Sequence, residues 1–302
     1  MSIAADLPSA AEGSGAQGLA ADRAFSNRLA AELAARRHLC VGIDPHAALL
    51  DEWGYQDDAD GAERMGREVV AAAVGIAACL KPQIAFFERF GSAGYVALER
   101  VLADARSAGL LVIADAKRGD IGSTFAAYAD TWLAPGSPLE ADALTVSPYL
   151  GFGSLQGAFR HVREHGKGLF VLAATSNPEA KATQTAVRAD GRSLALAMVE
   201  DALAFGSPFD REVNSIGVVL GATLDLSEFG IDVASPAARP ALPVLAPGFG
   251  AQGARVEDAK RIFGGLSWAL LANESRGVLA GGAEGLAGRI RVRAEALAAA
   301  LQ

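Results

Sequence analysis

Eight short apolar runs, each followed by a longer stretch of helical character, restrict the fold of this chain more than any other feature. The runs lie at 39–44, 78–86, 110–115, 143–147, 168–174, 215–221, 242–247 and 266–272. Continuously apolar strands that alternate with helices belong to a parallel sheet covered on both faces. Helices are predicted near 61–77, 92–108, 122–133, 153–165, 190–205, 225–230, 253–263 and 281–301, with an extra N-terminal helix over 22–36. Eight such units predict an α/β fold of the (β/α)8 TIM-barrel type. Periodicity does not distinguish a closed barrel from a doubly wound open sheet, so the barrel rests on the count of eight.

The 302 residues suit one such barrel, a fold of typically about 250 residues. Residues 21–302 are therefore read as a single domain. Residues 1–20 are rich in Ala, Gly and Ser, and they lack Lys, Arg and the apolar core of a secretory signal. They are read as a disordered tail. The stretches at about 176–192 and 224–241 read as loop insertions. A net charge of −8 argues against nucleic acid or an anionic membrane as partner. No apolar run is long enough to span a bilayer. Cys40 and Cys79 sit in apolar runs and read as buried small hydrophobes, in keeping with a cytoplasmic protein without disulfides.

In a TIM barrel, function resides where the strands end. The third run ends in Asp115-Ala116-Lys117-Arg118-Gly119-Asp120-Ile121-Gly122-Ser123-Thr124. Residues i and i+2 of a strand share a face, so Asp115 and Lys117 are expected to point together into the barrel mouth if the strand remains extended. Carboxylates beside a lysine favour its ammonium form. Lys117 is thus expected to act as a proton donor or a fixed positive charge. Arg118, on the opposite face, is expected in a structural ion pair. His161 and His165 lie one helical turn apart and read as a solvated helix face. Tyr149 and Phe152, after the fourth run, are expected to pack.

The run Asp115-x-Lys117-x-x-Asp120-Ile121-Gly122-x-Thr124 resembles the signature of orotidine 5'-phosphate decarboxylases. Five further segments match in order: Val41-Gly42-Ile43-Asp44-Pro45, Lys81-Pro82-Gln83, the pair Thr145–Gly151 and Ala174–Pro178 of the longer bacterial branch, Ala246–Gly253, and Ser275-Arg276-Gly277. The resemblance implies conversion of orotidine monophosphate to uridine monophosphate and carbon dioxide, without metal or organic cofactor. It implies Lys117, Asp115, Asp120 and Lys81 as the catalytic group. Lys117 would stand beside C6 of the pyrimidine, Asp115 near the departing carboxylate, and Lys81 beside the acids and ribose. Asp44 would bind ribose hydroxyls, and Ser176, rather than Thr175, the pyrimidine edge. Arg276 and Gln252, with backbone amides around Gly253 and Gly277, would hold the phosphate. Ile121 and Pro247 join the substrate-binding set through the same motifs. In that family the residue matching Asp120, accompanied by Thr124, serves the partner subunit's site, which implies a homodimer with shared active sites.

Two other readings use the same residues. Magnesium-dependent keto-gulonate phosphate decarboxylases and hexulose phosphate synthases share the Asp-x-Lys-x-x-Asp core, and a barrel could also bind a nucleotide without catalysis. Residues 248–253 formally match GxGxxG, but they follow the seventh run rather than the first, and no acid stands about 20 positions on. A phosphate-gripping loop accounts for the same glycines.

Overall fold

The strands that form are β1 Leu39–Ile43, β2 Cys79–Pro82, β3 Leu111–Arg118, β4 Ala143–Val146, β5 Gly168–Ala174, β6 Ile216–Leu220, β7 Val244–Pro247 and β8 Leu270–Glu274. The computed structural model describes residues 21–235 and 238–302. The tail expected at 1–20 lies outside the described residues. All neighbouring strands pair in parallel, and β1 pairs with β8 through Leu39↔Ala272 and Val41↔Glu274. That pairing closes the barrel and removes the open-sheet alternative.

Strand alternation divides the core in two. Leu39, Val41, Val112, Ala114, Leu144 and Val171 face outward into the layer between barrel and helices. Cys40, Cys79, Leu111, Ile113, Ala143, Phe170, Val219, Leu245 and Leu271 face inward and fill the barrel. Both cysteines are buried and unbridged, opposite each other in the β1–β2 register.

The helix Phe25–Ala34 closes the N-terminal end of the barrel, with Phe25, Leu29 and Leu33 joining the interior cluster. The rings of Phe25 and Phe170 meet edge to face, with centroids 5.9 Å apart. A Cβ at Gly168 would come within 2.3 Å of the Phe25 ring, so this position requires glycine. Each fully buried Phe or Leu contributes roughly 1.5–3 kcal/mol. This plug makes the opposite end the open one.

Several expected boundaries shift. The second run yields a short β2, because the chain turns into the helix Ala85–Glu88. Between β6 and β7 the described residues form only the 3-10 turn Leu226–Phe229, and β8 starts late because Gly264–Ala269 is also a 3-10 segment. The predicted 61–77 helix is Ala59–Ala73, capped by Asp58, whose carboxylate accepts from Gly61 N at 2.8 Å. His161 is not on a solvated face: it is 2% exposed and bonded to Asp130 Oδ1 at 2.8 Å on the preceding helix. Phe152 packs on Phe159, whereas Tyr149 is 81% exposed and does not pack.

Candidate active site

The inward-facing series that fills the barrel continues upward into polar residues. Cys79 is followed two positions later by Lys81, Ile113 by Asp115, Ala143 by Thr145 and Leu271 by Asn273. With Asp44, Gln83, Lys117, Gln252 and Ser275, and with an apolar wall of Leu172, Val219, Leu245 and Pro247, they line a cavity of about 180 Å³ at the C-terminal ends of the strands. A larger groove of about 900 Å³ lies between 222–234 and 253–262. Its charges are mostly surface pairs such as Arg261–Asp258, so chemistry rather than size locates the site.

Asp115 is the centre of the smaller cavity. Its Oδ2 accepts from Lys81 Nζ at 2.6 Å, and its Oδ1 from Lys117 Nζ at 2.6 Å and Thr145 Oγ1 at 2.9 Å. Asp115 and Lys81 are buried, while the Lys117 side chain is 45% exposed. Gln83 bridges the pair: its amide donates to the Asp115 carbonyl at 3.3 Å and its Oε1 lies 3.4 Å from Lys117 Nζ. Burial alone would raise the Asp115 carboxyl. The Lys81 and Lys117 charges and their hydrogen bonds outweigh it and hold the carboxyl well below the usual carboxylate range. Burial likewise opposes the Lys81 ammonium, but Asp115 and then Asp44 reverse the effect and keep it charged. The Oδ1 of Asp44 is buried without a hydrogen-bond partner among the described residues.

The expected sharing of a face by Asp115 and Lys117 needs correction in its cause. β3 is not regularly extended there. Lys117 has φ +49°, in the left-handed region, and the β3–β4 register shifts between Ala114 and Arg118. The two side chains still converge, through a local bulge instead of simple alternation. Arg118 turns outward to an ion pair with Glu88, as expected.

The structure brings Asp44, Lys81, Asp115, Lys117, Pro247 and Gln252 into one cavity. Asp120, Ile121 and Thr124 are outside its lining. Asp120 is half-buried and accepts from Ile121 N at 2.8 Å, while Ile121 and Thr124 are exposed. Ser176 lies exposed at the rim. The Thr175 hydroxyl is committed to Asn177 and Gln184 at 2.8 and 3.0 Å, which leaves Ser176 the more available of the two. Arg276 and Gly277 are exposed directly after Ser275. Gly253 has φ +106° and donates its amide to Gly250 O at 2.9 Å, so that amide is already occupied in the loop's own turn. Glu274, the last residue of β8, is buried away from the cavity. It is 1% exposed and paired with Arg293 at 2.5 Å.

Gln83, Thr145, Asn273 and Ser275 received no role from the sequence. Thr145 and Asn273 did carry a signal, as polar residues at inward positions of otherwise apolar strands. Among the described residues no group of three His, Cys, Asp or Glu is placed to hold a metal ion. No helix among them is long and apolar enough to cross a membrane.

Residues 37–279 match the family model described as orotidine 5'-phosphate decarboxylase / HUMPS family. An orotidine 5'-phosphate decarboxylase of Streptomyces coelicolor is 53% identical over 256 residues, covering 84% of this chain and 89% of that protein. One from Corynebacterium efficiens is 46% identical over 279 residues, covering 91% and 96%. A Streptomyces avermitilis crystal structure assigned to the same activity superimposes with a TM-score of 0.84 at 49% identity, covering 92% and 96% of the two chains.

Proposed function

Since this chain belongs to the orotidine 5'-phosphate decarboxylase / HUMPS family, we propose how its own residues carry out the family reaction. That reaction is the decarboxylation of orotidine 5'-monophosphate to uridine 5'-monophosphate and CO2 in pyrimidine biosynthesis. The family description also embraces sugar-phosphate enzymes; the curated relatives favour the pyrimidine reaction.

The observation that carries the mechanism is the alternating charge of Lys81, Asp115 and Lys117. When the bond from C6 to the carboxylate breaks, CO2 leaves and the electron pair stays on C6, in the ring plane. The ring cannot delocalise it, so fixed positive charge must stabilise it. The Lys117 ammonium supplies that charge and then transfers a proton to C6. The resulting neutral amine regains a proton from solvent. Asp115 holds the Lys117 ammonium in place beforehand through their ion pair at 2.6 Å and faces the departing carboxylate. Lys81 neutralises Asp115 from the buried side and, with Asp44, meets the ribose.

The cavity of about 180 Å³ is below the usual ligand pocket of roughly 300 Å³ or more. It suits the pyrimidine, with Ser176 at its edge. The phosphate would lie at the rim, where Arg276 offers a planar fork and Gln252, Gly253 and Gly277 surround it. Pro247 and Ile121 complete the contacts, Ile121 from a second subunit.

Asp120, Ile121 and Thr124 are assigned to a neighbouring site in a homodimer. Their position outside the cavity supports this. So does the apolar surface beyond adjacent strands β3 and β4, where Ile121, Tyr149 and Leu150 are 61%, 81% and 55% exposed. Residues 21–302 are read as one barrel domain, acting without cofactor in the cytoplasm.

Loss of orotidylate absorbance, followed with purified protein in excess chelator, tests the reading. Turnover should persist, and Lys117→Ala should lower it by at least about 10²–10⁴-fold while uridine monophosphate still binds. A variant that kept most of the rate would overturn the role of Lys117. A requirement for added magnesium would point instead to enediolate chemistry.

A further inference from the structure

We propose that Thr145 is a positioning residue whose hydroxyl sets the aim of Lys117. The inference rests on the reading that Lys117 carries the chemistry.

Five residues of β3, Ala114 to Arg118, pass opposite only three of β4, Leu144 to Val146. The surplus forms a bulge containing Asp115 and Lys117, and Thr145 stands opposite it, 1% exposed. Its Oγ1 accepts from the backbone N–H of Lys117 at 3.0 Å and donates to Asp115 Oδ1 at 2.9 Å. One hydroxyl therefore replaces the ladder bond that the bulge removes and also fixes the carboxylate that holds the ammonium. With its proton given to Asp115, the hydroxyl acts on Lys117 rather than on substrate.

Lys117 needs such a clamp. A non-glycine residue in the left-handed region persists only where its surroundings over-determine it. If Thr145 Oγ1 is lost, the Lys117 N–H has no acceptor, and the backbone is free to relax toward an extended conformation. The lysine stem would then leave its present line. Gln83 touches Nζ only at 3.4 Å, and its amide reaches the Asp115 carbonyl rather than the Lys117 N–H.

The test compares Thr145→Val, Thr145→Ala and Thr145→Ser with Lys117→Ala. Turnover is expressed per uridine monophosphate-binding site, so that unfolded protein does not count. Val and Ala should lower kcat about a hundredfold, the cost of a misplacement near 1 Å, with KM and product affinity little changed. Ser restores the hydroxyl and should restore most of kcat. A role in packing alone would spare kcat per site in all three variants and would make Ser, which lacks the methyl group, destabilise the fold as Ala does. Native kcat per site in Thr145→Ala, alongside an inactive Lys117→Ala, would overturn this inference alone. An active Lys117→Ala would overturn the underlying mechanism. If Val does not fold, the Ala–Ser comparison decides.

Discussion

The ammonium of Lys117 lies 2.6 Å from Oδ1 of Asp115, with only one residue between them in the chain, because the backbone at Lys117 adopts φ +49°. The contact is thus made by a strained bulge at a strand end. The same carboxylate binds Lys81 on its other oxygen, so the two lysines share one counter-charge from opposite sides.

Removing that counter-charge should destabilise the fold. Asp115→Asn leaves the Lys81 ammonium buried at 4% exposure without its main partner. Breaking a buried pair from one side costs about 3–5 kcal/mol. Urea unfolding of the variant, compared with the parent, measures the loss. A change below about 0.5 kcal/mol, the usual scale of a surface substitution, would show that the pair is not buried in solution.

Asp115 also sets a pH dependence. Its folded carboxyl lies well below the unfolded value of about 3.9. Below that value the unfolded state binds the extra proton, so the stabilisation is present above about pH 4 and is lost as the pH falls further. Lys81 has the opposite sign: its folded value is raised, and its contribution is present below about 10.4 and lost as the pH rises through the folded value. The parent should therefore lose stability below about pH 4 more steeply than Asp115→Asn. Parallel acid limbs in a plot of unfolding free energy against pH would contradict this.

Asp120 should complement Lys117 across subunits. Lys117→Ala and Asp120→Ala chains, each inactive alone, should regain part of the native activity when mixed and allowed to exchange. One native site per mixed dimer accounts for the recovery. If labelled chains exchange without recovery, Asp120 does not serve a neighbour's site.

Arg276 should discriminate phosphate. Arg276→Ala should weaken uridine monophosphate binding by about 1.5–3 kcal/mol, the range for hydrogen bonds to charged groups, and leave uridine binding unchanged. Calorimetric titration with both ligands reads the difference. Equal weakening of the two would place the guanidinium away from the phosphate.

Local pattern in the chain determined much of this protein. A strand's period of two put Lys81 on the face of Cys79 and Asp115 on the face of Ile113, while the barrel's closure decided which face turns inward. The shared faces are properties of neighbouring residues. The motif around Asp115 located the chemistry for the same reason. Contacts between distant segments were not legible. Closure of β1 on β8 joins Val41 to Glu274, and no local period encodes it. The bulge at Lys117 arises where β3 outruns β4, so its clamp, Thr145, emerged only when both strands were in register. Asp120, three residues beyond Lys117, stands outside the cavity because the chain turns there toward the helix Gly122–Leu133. Sequence proximity set which charges could meet, and the tertiary path of the backbone decided which ones do.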